Sequence, residues 1–184
     1  TIFNPTSHSY FNLGHEKTIL SHELKINSNQ ILEIDKNGIP TKNFLDIKDG
    51  PFDFQNFKAI EKDIRESNIQ LEFGCGYDHN FVLNSDKKFA AILFDKNSGR
   101  RLKIKTDQPG MQFYTGNYLG GNFITNGGVC METQHYPNSP NCDIFPSVVL
   151  LKNKKYYTKT SYHFDTLWKI ILIFLQLVKF LSLI

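Results

Sequence analysis

Four segments of the chain set polar side chains beside glycines and aromatic rings: NPTSHSYFNL (4–13), GYDHNFVL (76–83), QPGMQFYTGN (108–117) and VCMETQHYPNSPN (129–141). His8, flanked by Ser7, Ser9, Tyr10 and Phe11, is the side-chain type best suited to give and take protons near neutral pH. If Glu132 lies on a strand, it points to the opposite face from Met131 and Thr133. A half-buried carboxylate there has its pKa raised by desolvation, which suits a general base. Gln112 precedes Phe113 and Tyr114, so its amide could hydrogen-bond a sugar hydroxyl while rings cover a C–H face. Asp78 and His79 place a carboxylate and an imidazole just before Phe81-Val82-Leu83. Each residue has an ordinary alternative. His8 fits a hydrogen-bonded loop histidine and Glu132 an outward-facing strand glutamate. Gln112 fits a strand residue after the Pro109-Gly110 turn, and Asp78-His79 a polar pair facing water.

Two other chemistries lack their spacing. His8, His79, His135 and Glu132 show no i,i+4 pair and no HxH or HExxH pattern, so no metal is expected. No GxSxG elbow is present for a serine nucleophile.

The elements that must position these residues read mostly as strands. TILSHELKI (18–26), NIQLEF (68–73), HNFVL (79–83), KFAAILF (88–94), RLKIKT (101–106) and KYYTKTSYHF (155–164) are short and β-prone, with turn residues between them. DKNSGR (95–100) reads as a hairpin loop. NFKAIEKDIRE (56–66) puts Phe57, Ile60 and Ile64 on one helical face and is the one internal helix expected. Many short strands with Gly and Pro punctuation predict an all-β sandwich.

Bulk composition narrows the classes. The 184 residues suffice for one domain with a sizeable core. A balance of 21 Lys and Arg against 18 Asp and Glu, scattered without a stripe, leaves a net charge of +3 and predicts no nucleic-acid partner. The aromatic content of 14% suits a β-rich fold or a flat-walled pocket. Cys75, Cys130 and Cys142 are odd in number and lack CxxC spacing, so a reducing, cytoplasmic setting is expected rather than a disulfide framework or structural zinc. The N-terminus shows neither a signal-peptide pattern nor an initiator Met, and the chain is read as starting inside a longer protein. LWKIILIFLQLVKFLSLI (167–184) is apolar except for Lys169, Gln176, Lys179 and Ser182, which share one side of a helix. The stretch between its lysines covers about 13 Å of helix, against the ~30 Å of a hydrocarbon core, so an amphipathic helical tail is expected rather than a membrane span.

Taken together, the four polar segments resemble the galactose mutarotase (aldose 1-epimerase) family, with its NxTNHSYFNL, G[FY]DHNF, QPGxQFYTGN and CLETQxxPDSxN motifs. FPSVVL (145–150), IPTKN (39–43) and PFDF (51–54) also fall where that family has similar sequences. The resemblance covers residues 1–166 as the C-terminal portion of such a domain, followed by the 167–184 tail. It implies a galactose mutarotase-like β-supersandwich, present in part, with a sugar cleft across one sheet, an aldose as the small-molecule partner and no cofactor. It further implies His8 as general acid, Glu132 as general base, Asp78 and Gln112 as contacts to sugar hydroxyls, and His79 as a supporting residue beside Asp78. The family's N-terminal half, with an Asn-Arg pair and a second active-site histidine, has no counterpart here. The region between YTGNYLGG and GGVCMETQ is shorter than in many relatives. Two alternatives stay open: an inactive carbohydrate-binding fragment of the same fold, and a hexose-6-phosphate 1-epimerase. The latter needs an arginine cluster, whereas the chain has Arg65, Arg100 and Arg101 alone.

Overall fold

A computed structural model describes residues 1–85 and 88–167. From residue 168 onward, the helix expected over 167–184 lies outside the described residues. Among the described residues, no helix is long and apolar enough to cross a membrane.

The described strands are β1 (Tyr10–Phe11), β2 (Glu23–Ile26), β3 (Ser28–Ile34), β4 (Pro40–Asp46), β5 (Lys58–Ala59), β6 (Asp78–Leu83), β7 (Ala91–Phe94), β8 (Arg100–Thr106), β9 (Gly110–Tyr114), β10 (Val129–Gln134) and β11 (Thr160–Thr166). They form two antiparallel sheets, one in the order β1-β10-β9-β6-β3-β4 and the other β11-β8-β7-β2-β5. The core lies between them, filled by the inward alternate residues of both. Ile31, Phe81, Met111, Phe113, Val129 and Met131 come from the first sheet, and Leu24, Ile26, Leu93, Leu102 and Ile104 from the second. Phe113 is the aromatic centre of this layer, with the Phe54, Tyr77 and Phe81 rings 5.4, 5.1 and 6.1 Å from its own. Burying a side chain of that size stabilises by about 1.5–3 kcal/mol.

The hairpin at 95–100 forms as expected. The Asp95 and Arg100 backbones pair across it, and Gly99 takes the left-handed conformation (φ 69°) that a side chain would resist.

Two expected elements exchange identities. NIQLEF is not a strand. Residues Ile69–Gly74 form the α-helix α1, because the Asn68 side chain accepts from the Gln70 and Leu71 N–H groups and Cys75 closes the other end in the left-handed region. The buried Gln70 amide then replaces a strand partner for β3, accepting from Ile34 N–H (2.8 Å) and donating to Ile34 C=O (3.0 Å). Conversely, 56–66 is not a continuous helix. It holds the two-residue β5, a 3₁₀ turn at Ile60–Lys62 and a further turn. Of its supposed apolar face, Ile60 is fully buried and Ile64 packs partly buried against the core, while Phe57 is exposed, so the three do not dock as one helical face.

Other strands keep their place with shifted ends. The run at 18–26 pairs only from Glu23, the run at 88–94 only from Ala91, and the last strand covers Thr160–Thr166. The β3–β4 pair was not expected, because its residues are largely polar. Its outward Glu33 is held by Thr41 and Asn43, which donate to one carboxylate oxygen at 2.6 and 2.8 Å.

The alternation of β6 turns His79 inward, against Phe52 (ring centroids 4.6 Å apart), while Asp78 faces out. Its Nδ1 accepts the Asp78 N–H at 3.2 Å, and burial holds its pKa down, from 6.5 to about 3.

Two predictions follow from these placements. Gln70→Leu strands both polar groups of Ile34 and should cost about 3 kcal/mol in urea unfolding, whereas Asn68→Ala loses only a cap and should cost about 1 kcal/mol. The folded state keeps His79 neutral and the unfolded chain does not, so its contribution is complete above pH 6.5 and is lost as pH falls toward the folded value. Between pH 7 and pH 5 the unfolding free energy should therefore drop by about 2 kcal/mol on account of His79. The drop should shrink by that increment in His79→Asn, whose side-chain oxygen can still accept the Asp78 N–H.

Candidate active site

The same alternation that fills the core lays out a polar face on the other side of the first sheet. Glu132 on β10 stands opposite Gln112 on β9, and Gln112 opposite Asn80 on β6. Two residues along, Cys130 stands opposite Tyr114 and Tyr114 opposite Asp78. Directly opposite side chains lie about 4.5–5.5 Å apart, so these six form one contiguous outer patch. The far half of that face is capped instead by Tyr136, Cys142 and Phe145 packed on Leu32, Phe44 and Val82. Gln112 reaches diagonally and donates from Nε2 to Asp78 Oδ1 at 2.8 Å. Its Oε1 and the Asn80 Oδ1 are buried acceptors with no hydrogen-bond partner among the described residues.

His8 arrives from outside the sheet. Asn4 exchanges two hydrogen bonds with the backbone of His135, at 2.9 and 3.0 Å, and Thr6 donates to the Thr133 carbonyl at 3.1 Å. Past His8, Tyr10 and Phe11 pair with Cys130 and Val129. The segment therefore runs along β10 as a partial edge strand made largely of side-chain contacts. It sets His8 Nε2 3.5 Å from Glu132 Oε1 and His8 Nδ1 3.3 Å from Cys130 Sγ. The His8 side chain is 54% exposed and that of Glu132 only 10%, so the imidazole forms the mouth of the site and the carboxylate its floor. Tyr10 and Tyr114 flank His8, with ring centroids 5.1 and 6.2 Å away, and Tyr118 stacks on Tyr114.

Burial dominates the electrostatics. It raises the pKa of Glu132, with the Asp78 charge adding to the rise and His8 opposing it. Asp78 is also raised by burial, against the Gln112 hydrogen bond and His8. The Cys130 thiol is pushed up to about 12 by burial and by Glu132, and the Tyr10 phenol to about 12, burial again leading. A carboxylate so placed holds a proton more strongly than one in water, and a half-exposed imidazole stands within reach of it.

The structure thus brings His8, Glu132, Asp78 and Gln112 onto one face. His79 is on the other side of the sheet, and His135 binds Gln108 through Nδ1 at 2.8 Å. Neither joins a ligand set with Glu132. Cys130 takes that place: among the described residues, the donor atoms of His8, Cys130 and Glu132 lie within 4.8 Å of one another. Cys130, Tyr114 and Asn80 were not singled out from sequence. Counting by twos from Glu132, Gln112 and Asp78 would have found them.

Comparison with known proteins bears on this face. The family model described as aldose 1-epimerase matches residues 1–163. Galactose mutarotase of Sus scrofa is 36% identical over 177 residues, covering 90% of this chain and 50% of the relative. Aldose 1-epimerase of Escherichia coli K12 is 32% identical over 174 residues, covering 88% and 50%. The chain therefore spans about half the length of the curated relatives it matches. Among solved structures, an aldose epimerase homologue from C. elegans superposes with a TM-score of 0.82 at 23% identity, over 90% of this chain and 52% of the other. Galactose 1-epimerase from Lactobacillus acidophilus gives 0.80 at 29% identity, over 90% and 49%. The galactose mutarotase-like sandwich expected from the motifs is thus the fold of the described residues. With motif order, sheet architecture and the match over residues 1–163 in agreement, the chain belongs to the aldose 1-epimerase family.

Proposed function

We propose that residues 1–166 form the C-terminal portion of a mutarotase-like domain and carry the acid–base machinery of an aldose 1-epimerase. The reaction is interconversion of α and β anomers of aldohexoses such as galactose and glucose, in the cytoplasm and without a cofactor. The observation that carries this reading is the His8–Glu132 pair, 3.5 Å apart with one partner sunk in the sheet and the other at its mouth. The ring oxygen and the anomeric hydroxyl are both bonded to C1, so one acid and one base near C1 suffice. Glu132 removes the proton of the anomeric hydroxyl while His8, protonated, gives its proton to the ring oxygen, and the C1–ring oxygen bond breaks. The aldehyde turns about C1–C2 and the ring closes on its other face, with the roles reversed. The raised pKa of Glu132 strengthens it as a base. Asp78 and Gln112 accept hydrogen bonds from sugar hydroxyls, and Gln112 Oε1, without a partner among the described residues, has the acceptor character such a hydroxyl needs.

A hexose phosphate fits this face less well. Arg101 is committed to Asp165 on the second sheet, at 2.8 Å, and Arg100 to the Leu13 carbonyl, at 3.1 Å. The second reading is a sugar-binding fragment without turnover. Alone, the chain should show mutarotation near background by polarimetry on fresh α-galactose. In a full-length protein containing these residues, Glu132→Gln should lower the rate by about 10²–10⁴-fold while sugar binding stays measurable by calorimetry. Near-normal turnover in that variant would remove Glu132 as the base. Absence of turnover in the unaltered full-length protein would leave the binding reading.

A further inference from the structure

The acid–base pair shares its pocket with a thiol that proton transfer does not need. We propose that His8, Cys130 and Glu132 form a binding site for a thiophilic divalent cation, zinc in particular, and that its occupation reversibly shuts the site down. Binding itself is independent of the proposed epimerase reading; inhibition rests on it.

Three observations carry the inference. The first is donor type. Imidazole, thiol and carboxylate together suit zinc, whereas magnesium and calcium prefer oxygen donors alone. A coordinating thiol loses its proton to solvent as the ion binds, so thiolate and carboxylate together balance the charge of a divalent ion.

The second is geometry. Zinc bonds of about 2.0–2.3 Å put neighbouring tetrahedral ligand atoms roughly 3.3–3.8 Å apart. His8 Nδ1 lies 3.3 Å from Cys130 Sγ and His8 Nε2 3.5 Å from Glu132 Oε1. Those contacts use different ring nitrogens, so a small tilt of the imidazole must bring one nitrogen to both partners. Cys130 and Glu132 sit two apart on the same face of the paired strand β10, while the His8 side chain is half-exposed and has open space on its solvent side for that tilt.

The third is selectivity. Cys75 is exposed, and Cys142 is buried in the apolar cluster on the far half of the face. Among the described residues neither belongs to such a donor group. The half-exposed imidazole leaves the solvent side open for water as a fourth ligand.

A bound cation would occupy the lone pairs of Glu132 and His8 that the proposed reaction uses. Cobalt(II) is the probe, because it substitutes for zinc and reports thiolate ligation by a charge-transfer band. Titrating the chain should give one equivalent of binding with that band, displaced by zinc and reversed by a chelator. Cys130→Ser should abolish the band and Cys75→Ser should leave it unchanged. His8→Ala, at an exposed position that leaves the core intact, should weaken binding by roughly tenfold or more, since losing even a ligand's hydrogen-bonding partner costs 10–100-fold. Cobalt binding without the band, a band surviving in Cys130→Ser, or no binding at all would each overturn the site. In a full-length protein, zinc should slow mutarotation and the chelator should restore it. A cobalt–thiolate band without slowing would keep the metal site and overturn the catalytic assignment of His8 and Glu132.

Discussion

Because successive side chains of a strand point to opposite faces, the register that sets Met131 against Phe113 inside the sandwich also sets Glu132 against Gln112 outside it. Core and site are two sides of one constraint. A shift of one residue between β10 and β9 would carry Glu132 into the aromatic layer around Phe113 and expose Met131. That exchange would bury an unpaired carboxylate, which interiors do not tolerate cheaply. Packing around Phe113 therefore protects the polar face as firmly as any hydrogen bond within it.

The polar face has its own tension. Glu132, Asp78, Cys130 and Tyr10 all have pKa values raised by burial, and several raise one another. His8 offsets this for both carboxylates. It does so from a segment held by Asn4, Thr6 and the short β1 rather than from a fully paired strand. The floor thus lies on a strand paired along its length with β9, and the mouth on a segment paired with β10 at two residues. The proposed proton transfer to a sugar and the proposed capture of a cation would both use His8 in that position.

His79 shows how one strand divides labour between neighbours. Its imidazole gives up its own titration near neutrality, since burial keeps it neutral, and spends its Nδ1 lone pair on the Asp78 backbone. Asp78 is thereby fixed from behind while its carboxylate meets Gln112 in front. The acid and base adjacent in sequence are thus separated by the sheet, and the acid and base that face each other come from distant segments.

The sandwich class, the 95–100 hairpin and the strands around His79–Leu83 and Arg101–Thr106 were legible in the sequence, because they depend on local turn chemistry and strong alternation, whereas the motif residues stood out through the family resemblance of their segments. NIQLEF was not, since five residues of alternation fit a strand as well as a helix; the Asn68 cap and the docking of Gln70 on Ile34 chose the helix. The helical period at 56–66 failed for the opposite reason: Ile60 enters the core and Ile64 packs against its edge, but Phe57 stays exposed, so the three do not form one buried helical face. The polar β3–β4 pair depended on partners across the sheet that no local window contains. Residue types and periodicity determined which side chains could do chemistry and which alternate with the core. The tertiary structure alone decided that β10, β9 and β6 would be neighbours and that the His8 segment would dock on the β10 edge. Long-range docking therefore set His8 against both Glu132 and Cys130; counting by twos along β10 reaches Cys130, but its contact with His8 is a property of two segments together.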